Sequence, residues 1–192
     1  MKCENADITS FAPGTAVGRL RTGGSAFAQF ENMIRMTDGL TLGQVCAITG
    51  LEPSAVQNWV KRGFVPRPVG KKYYGRQLAR IMLINALRDS MKIENVGELM
   101  RSVNGDTEDE SDDIISEERF YDYLCRAFDS CENKFFEQDV RDTVAGIASE
   151  DESLDAASKK RLTDALCAMA YAYAAGILIR KSSRYFNESI NQ

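Results

Sequence analysis

The 192-residue chain has no histidine, one tryptophan and four prolines, and its five cysteines (Cys3, Cys46, Cys125, Cys131, Cys167) are scattered without a C-x-x-C pair. Without imidazole there is no Ser-His-Asp or Cys-His machinery. A histidine-dependent zinc site and an imidazole pH switch are excluded as well. An odd set of separated cysteines argues against a disulfide framework or a thiolate metal site and for a reducing cytoplasm. A glycine-rich phosphate loop is also missing. No catalytic residue, metal or cofactor is therefore expected, and the chain does not read as an enzyme. Long apolar runs are equally scarce. The first 24 residues contain no apolar h-region of a signal peptide. The longest run, residues 165–179, is fifteen residues between Asp164 and Arg180, shorter than the roughly 20 that a membrane span needs. It reads as a buried central helix or a dimer seam, so the expected location is cytoplasmic with no membrane partner.

Charge is present in quantity but unevenly. The formal net charge is −4, which alone argues against a nucleic-acid partner. By segment the picture differs: residues 41–105 carry a net +6, residues 106–157 a net −14, and residues 158–192 a net +4. A basic block followed by an acidic one implies surfaces that face different partners.

Hydrophobic spacing predicts a mainly α-helical chain. Residues 1–24 read as a flexible tail, and a helix is expected from Ser25 to Asp38. Thr41 caps a short helix to Thr49, and Pro53 opens another to Arg62. Helices follow over 76–91 and 94–104. After the acidic run 106–115, read as a solvated linker, three more helices are expected: Ser116 to Cys131, Lys134 to Ser149, and Leu154 to Phe186. Val65 to Tyr74, with two prolines and a glycine, cannot be helical and suits a small two-stranded loop.

Residues 41–74 thus have the layout of a helix-turn-helix with a wing, whose second helix would enter the major groove. Val56, Trp59 and Val60 form that helix's apolar face, with Trp59 a core anchor. Ser54, Gln57, Asn58, Lys61 and Arg62 fall on the other. Gln and Asn can pair with adenine, and Lys and Arg with guanine or phosphate. Arg67, Lys71 and Lys72 on the wing, with Tyr74, suit phosphate and sugar, and Arg76 and Arg80 extend the basic stripe. Of Tyr73 and Tyr74, one is expected to pack beneath the wing and the other to reach the DNA backbone. Tyr171, Tyr173, Phe120, Phe128, Phe135 and Phe136 fit either a core or an effector cavity.

The run Leu42-Gly43-Gln44-Val45 through Gly50-Leu51-Glu52-Pro53, then Trp59, Lys61, Gly63 and Lys72-Tyr73-Tyr74, loosely resembles the winged helix-turn-helix of MerR-type regulators. More closely, TLGQVCAITGLEPSAVQNWVKRGFVPRPVGKKYYGRQLARIMLINALRDSMKIENVGELM, with the later Val103-Asn104-Gly105 and acidic DESDDII, resembles the domain of unknown function 1836 family. The resemblance covers roughly residues 25–150 and is most specific over 41–115. It implies a MerR-like DNA-binding fold of Gram-positive bacteria. Some 40 residues precede the helix-turn-helix, Ser54 stands where MerR proteins often carry a basic residue, and an acidic block replaces the start of their dimerisation helix. Metal sensing and promoter twisting are therefore not carried over.

The reading is a flexible tail (1–24), a MerR-like winged helix-turn-helix (25–105), an acidic linker (106–115) and a helical dimerisation or partner module (116–187). The expected function is sequence-specific binding of double-stranded DNA as a transcriptional regulator, as a two-fold homodimer, with an unidentified effector or protein partner left open. The alternative is a protein-interaction adaptor whose helix-turn-helix does not bind DNA. A variant of the linker reading has the acidic run lie over the basic face as a mimic of DNA phosphate.

Overall fold

Capping and turn residues set the helix boundaries. The computed structural model describes residues 11–18, 25–131 and 140–190. Among these, eight helices follow one another: α1 (Ala28–Met36), α2 (Leu42–Thr49), α3 (Pro53–Lys61), α4 (Gly75–Leu87), α5 (Ile93–Asn104), α6 (Glu117–Cys131), α7 (Arg141–Ser149) and α8 (Ala156–Ile190). Before α2, the Thr41 hydroxyl accepts from the Gln44 amide at 3.3 Å while Gln44 Oε1 accepts from the Thr41 amide at 2.8 Å. This reciprocal pair satisfies two otherwise orphaned donors. Gly50, at φ 70°, ends α2 in the left-handed conformation that glycine adopts without strain. Three residues later Pro53 opens α3, where a missing N–H is harmless.

The core is single and runs through both halves of the chain. α4 is apolar nearly all round and buries Leu78, Ala79, Ile81, Met82, Leu83, Ile84, Ala86 and Leu87, the pattern of a helix surrounded by others. α1, α2 and α5 pack on it from one half of the chain, α6 and α8 from the other. α6 contributes Phe120, Tyr121, Leu124 and Phe128, and α8 contributes Leu162, Leu166, Met169, Ala170, Tyr173 and Ile177 at helical spacing. Phe128 and Tyr173 meet edge to face with centroids 4.7 Å apart. Residues 25–105 and 116–187 therefore share one hydrophobic cluster. The expected two-part division marks a change of surface charge, not of core.

The sequence reading needs two further corrections. Residues 11–18, expected within a flexible tail, pack onto the core: Ala12 is buried, Tyr121 Oη donates to the Pro13 carbonyl at 2.9 Å, and the Ala16 amide donates to the Ile48 carbonyl at 2.8 Å. Gly14 has φ 71°, and a Cβ there would run into the Met82 carbonyl of α4. Second, no β-sheet exists among the described residues; the expected wing reduces to isolated antiparallel bridges, Leu40–Tyr73 and Val69–Lys72. Of the two readings of the aromatics, the core is the one found for Phe120, Phe128 and Tyr173, which are all buried. The rest of the 1–24 tail with Cys3, the start of the helix expected from Lys134, and Phe135 and Phe136 lie outside the described residues.

α8 alone among the described helices has the length and composition to cross a membrane, yet 56 % of its most apolar window is buried inside the molecule. The interior position of that stretch accounts for its composition. Beyond Arg180 the helix leaves the body, and Lys181 to Ser189 are all exposed.

Candidate nucleic-acid interface

The two faces of α3 divide as its sequence implies. Val56 is fully buried and Trp59 is 7 % exposed, so Trp59 is the anchor that seats the helix. Ser54, Gln57, Asn58, Lys61 and Arg62 point outward and are exposed. Gly63, at φ 76°, lets the chain turn so that the Phe64 amide reaches the Trp59 carbonyl at 2.9 Å.

The loop that follows has its own short-range geometry. Val65 and Pro66 are buried and carry Arg67 to the surface. Val69 and Lys72 exchange two backbone hydrogen bonds of 2.9 Å, and the two residues between them, Gly70 and Lys71, both have positive φ (56° and 66°). Positive φ at both central residues marks a primed hairpin turn, whose twist matches antiparallel flanks. It holds Lys71 at the tip, exposed. The residue after the turn, Tyr73, exchanges 2.8 Å bonds with Leu40 of the α1–α2 connection, which ties the loop to the body. Tyr73 is buried beneath the loop and Tyr74 is half-buried, its Oη 3.5 Å from the Asp38 carbonyl.

Four of the expected phosphate contacts are already engaged within the protein. Arg80 is buried and cannot reach a partner: its guanidinium donates to the Phe64 carbonyl at 2.8 Å, to Thr107 Oγ1 at 3.1 Å, and to Glu117. Burial pushes the Glu117 carboxyl up from its usual range, and the Arg80 charge partly offsets this. Lys72 Nζ donates to the Thr37 and Gly39 carbonyls, both at 3.1 Å, and so caps the C-terminal end of α1. Arg76 is only 14 % exposed; it donates to Glu110 at 2.9 Å and to the Asp109 carbonyl at 3.1 Å, with Asp113 at 3.9 Å. Tyr74 is spent on the loop itself.

Arg62 is an intermediate case. It remains 42 % exposed while bridging to Glu94 of α5 at 2.6 Å and lying over the Phe64 ring at 4.7 Å. The Glu94 carboxyl is held below its usual range by a backbone hydrogen bond and by Arg62. The outward residues that remain together are thus Ser54, Gln57, Asn58, Lys61 and Arg62 on α3, with Arg67 and Lys71 beside them. Sequence reasoning missed the acidic residues that hold the basic ones: Glu94, Glu108, Glu110, Asp113 and Glu117. For the four that follow residue 105 the signal was the sign change there; Glu94, inside the basic block, had none.

The expected linker is a compact turn. Asp106 Oδ1 accepts from the Glu108 amide and Asp109 Oδ1 from the Ser111 amide, both at 2.8 Å, and Asp112 Oδ2 accepts from the Asp106 amide at 3.1 Å. Glu108 Oε1 accepts from the Arg67 amide at 3.4 Å. Burial, together with the carboxylates of Glu117, Asp112 and Glu110 and against the pull of Arg76, raises Asp113 to about 6.

No group of three or more Cys, Asp or Glu side chains among the described residues is arranged to hold a metal ion. The geometry defines a mainly helical protein that presents one polar and basic helix face beside a tight basic turn. Residues 36–124, which contain that face and the acidic turn, match the family described as Domain of unknown function (DUF1836). A curated relative, the uncharacterized protein YkrK of Bacillus subtilis (strain 168), is 30 % identical over 93 residues, which is 46 % of this chain and 40 % of the relative. The chain thus spans less than half the length of that relative. No solved structure matches the chain.

Proposed function

We propose that the protein is a sequence-specific binder of double-stranded DNA, a transcriptional regulator of winged helix-turn-helix type with a MerR-like arrangement. α2 and α3 serve as the helix-turn-helix, and the hairpin turn around Lys71 as a minimal wing. The observation that carries this reading is the outward face of α3: two carboxamides and two cations exposed side by side, on a helix pinned from behind by Val56 and Trp59. Gln57 and Asn58 are suited to base edges, with Lys61 and Arg62 for guanine or phosphate. Arg67 and Lys71 are placed for backbone contacts. The protein is expected in the cytoplasm, acting without catalysis.

The proposed assembly is a two-fold homodimer, as palindromic half-sites would require. The exposed stripe of α8 that runs from Tyr171 into its projecting end is the proposed seam. Tyr171, Leu178 and Tyr185 recur every seven residues along it and are exposed, with Ile179 and Phe186 alongside. A seven-residue apolar repeat is the spacing that pairs helices.

The test is binding of labelled duplex DNA from a random pool, enriched over successive rounds and measured at several salt concentrations. Lys61→Ala with Lys71→Ala should weaken binding to all sequences alike and flatten the slope of log affinity against log salt by about 1 per lost phosphate contact. Gln57→Ala with Asn58→Ala should instead relax the sequence preference. The second reading, an adaptor that contacts protein and not DNA, is favoured by one observation: Arg76 and Arg80 are already bound to carboxylates. Absence of any enriched duplex at low salt would decide for it.

A further inference from the structure

The acidic turn has an unusual attachment. Between Asp106 and Asp113 there is no apolar side chain, so nothing hydrophobic holds the stretch down. Its two ends are firmly set: Asn104 is fully buried on one side, and Ile115 is 3 % exposed on the other. Thr107 is tied to Arg80. What lies between, residues 108–112, is exposed throughout and touches the rest of the protein through polar contacts. Glu108 reaches the Arg67 amide, Glu110 the Arg76 guanidinium, and the Asp109 carbonyl the same guanidinium. Glu110 is itself 72 % exposed in that pair. Exposed pairs of this kind contribute little and are screened by salt. Asp113, at the inner end, is crowded by Glu117, Asp112 and Glu110, and like charges at close range favour separation.

We propose that residues 108–112 form a detachable acidic strap which occupies, in the free protein, an anion-binding surface formed by the Arg67 backbone and Arg76, and which the DNA phosphate backbone displaces. This rests on the DNA-binding reading and deepens it. The carboxylate of Glu110 stands where a phosphate oxygen would sit. Displacement releases Arg76 from Glu110 and the Asp109 carbonyl, leaving only the longer 3.9 Å approach of Asp113, and the counterions that leave the DNA supply the driving force. The fixed anchors at Asn104 and Ile115 keep the strap close, so it returns when DNA leaves. Binding is thereby weakened for every sequence by the same factor, because the base-facing side chains of α3 are not touched by the strap.

The experiment uses the full chain and a duplex enriched as above, or random duplex DNA where none is enriched. Glu108→Gln with Glu110→Gln should raise affinity about tenfold at moderate salt and steepen the salt slope by about 1, the signature of one more phosphate contact. Adding Arg76→Ala to that variant should cancel the gain. Glu150→Gln with Glu152→Gln, on the turn between α7 and α8, removes equal charge elsewhere and should leave affinity nearly unchanged. Circular dichroism confirms that each variant is folded. An equal gain from the α7–α8 variant, a gain that survives Arg76→Ala, or no gain at all would overturn the strap. If the wild type binds DNA and loses binding with Lys61→Ala and Lys71→Ala while the strap variant shows no gain, the DNA-binding reading stands and the strap falls. If neither the wild type nor the strap variant binds any duplex, both fall. If only the strap variant binds, both are supported.

Discussion

A guanidinium and a carboxylate removed from water together, as Arg80 and Glu117 are at 1 % and 0 % side-chain exposure, stabilise a fold only while both are present. Losing one leaves the other as an uncompensated buried charge, whereas replacing both by apolar groups of similar size can be neutral. Arg80→Met is accordingly expected to lower stability by about 3–5 kcal/mol in urea denaturation, and Arg80→Met with Glu117→Leu to recover most of it. Recovery matters more than loss, because it separates a charge effect from a packing effect. Asp113 makes a different prediction. Its carboxyl titrates at about 6 in the folded protein against an ordinary 3.8, so the folded state holds the proton more tightly than the unfolded chain. Protonation thus favours folding. The destabilising charge is fully present above about 6 and is relieved as pH falls through that value toward 3.8. Asp113→Asn should raise stability at pH 7 by about 2 kcal/mol, and the difference from wild type should shrink toward zero by pH 4. A difference that stays constant across this range would mean that the raised titration has another source.

Helices show how local signals and packing divide the work of folding. The start of α2 is written in Thr41 and Gln44 and its end in Gly50, and the structure places both ends there. Thr41→Ala should cost about 1 kcal/mol through the lost cap, and Gly50→Ala about the same through a left-handed φ that alanine resists. Thermal unfolding by circular dichroism reads both. α3 was equally legible, because Val56, Trp59 and Val60 share one side of the helix while Ser54, Gln57, Asn58 and Lys61 fall on the other. The side-chain partners were not. Arg80 stands among apolar neighbours, Leu78-Ala79 before it and Ile81-Met82 after, while Lys71 follows Gly70 in a turn, but nothing local names the partner that holds Arg80. Arg80 is buried because α4 is wrapped on all sides, a fact decided by α6 and α8 more than thirty residues away. The wing was overread for a related reason. Val69 and Tyr73 have strand propensity, but the two-residue turn leaves room for only one bridged pair before Pro66 and Pro68 end the hairpin. At the far end of α8 the expected outcome is quaternary. Leu178→Asp with Tyr185→Asp should leave helicity and melting nearly unchanged while shifting the mass measured by light scattering from dimer to monomer; an unchanged mass would remove α8 from the seam.

At the scale of the whole molecule, a single core joins segments that the charge pattern appeared to divide. Leu78, Ile81 and Met82 on α4 belong to the same cluster as Leu124 on α6 and Leu166 on α8. Residues 25–105 expressed alone would leave one side of α4 bare, and this piece should fail to fold, giving no cooperative unfolding transition and binding hydrophobic dyes. The N-terminal residues strengthen the point. Tyr121 Oη holds the Pro13 carbonyl across 108 residues of sequence, and Ser90 Oγ donates to the Ala172 carbonyl across 82. During synthesis the first of these residues leaves the ribosome long before its partner exists, and at roughly 5–20 residues per second the wait amounts to several seconds or more. α4, against which α2 and α5 pack, therefore gains its full enclosure only after α8 has emerged. A nascent or prematurely ended chain thus carries the basic face of α3 on a core that is not yet closed.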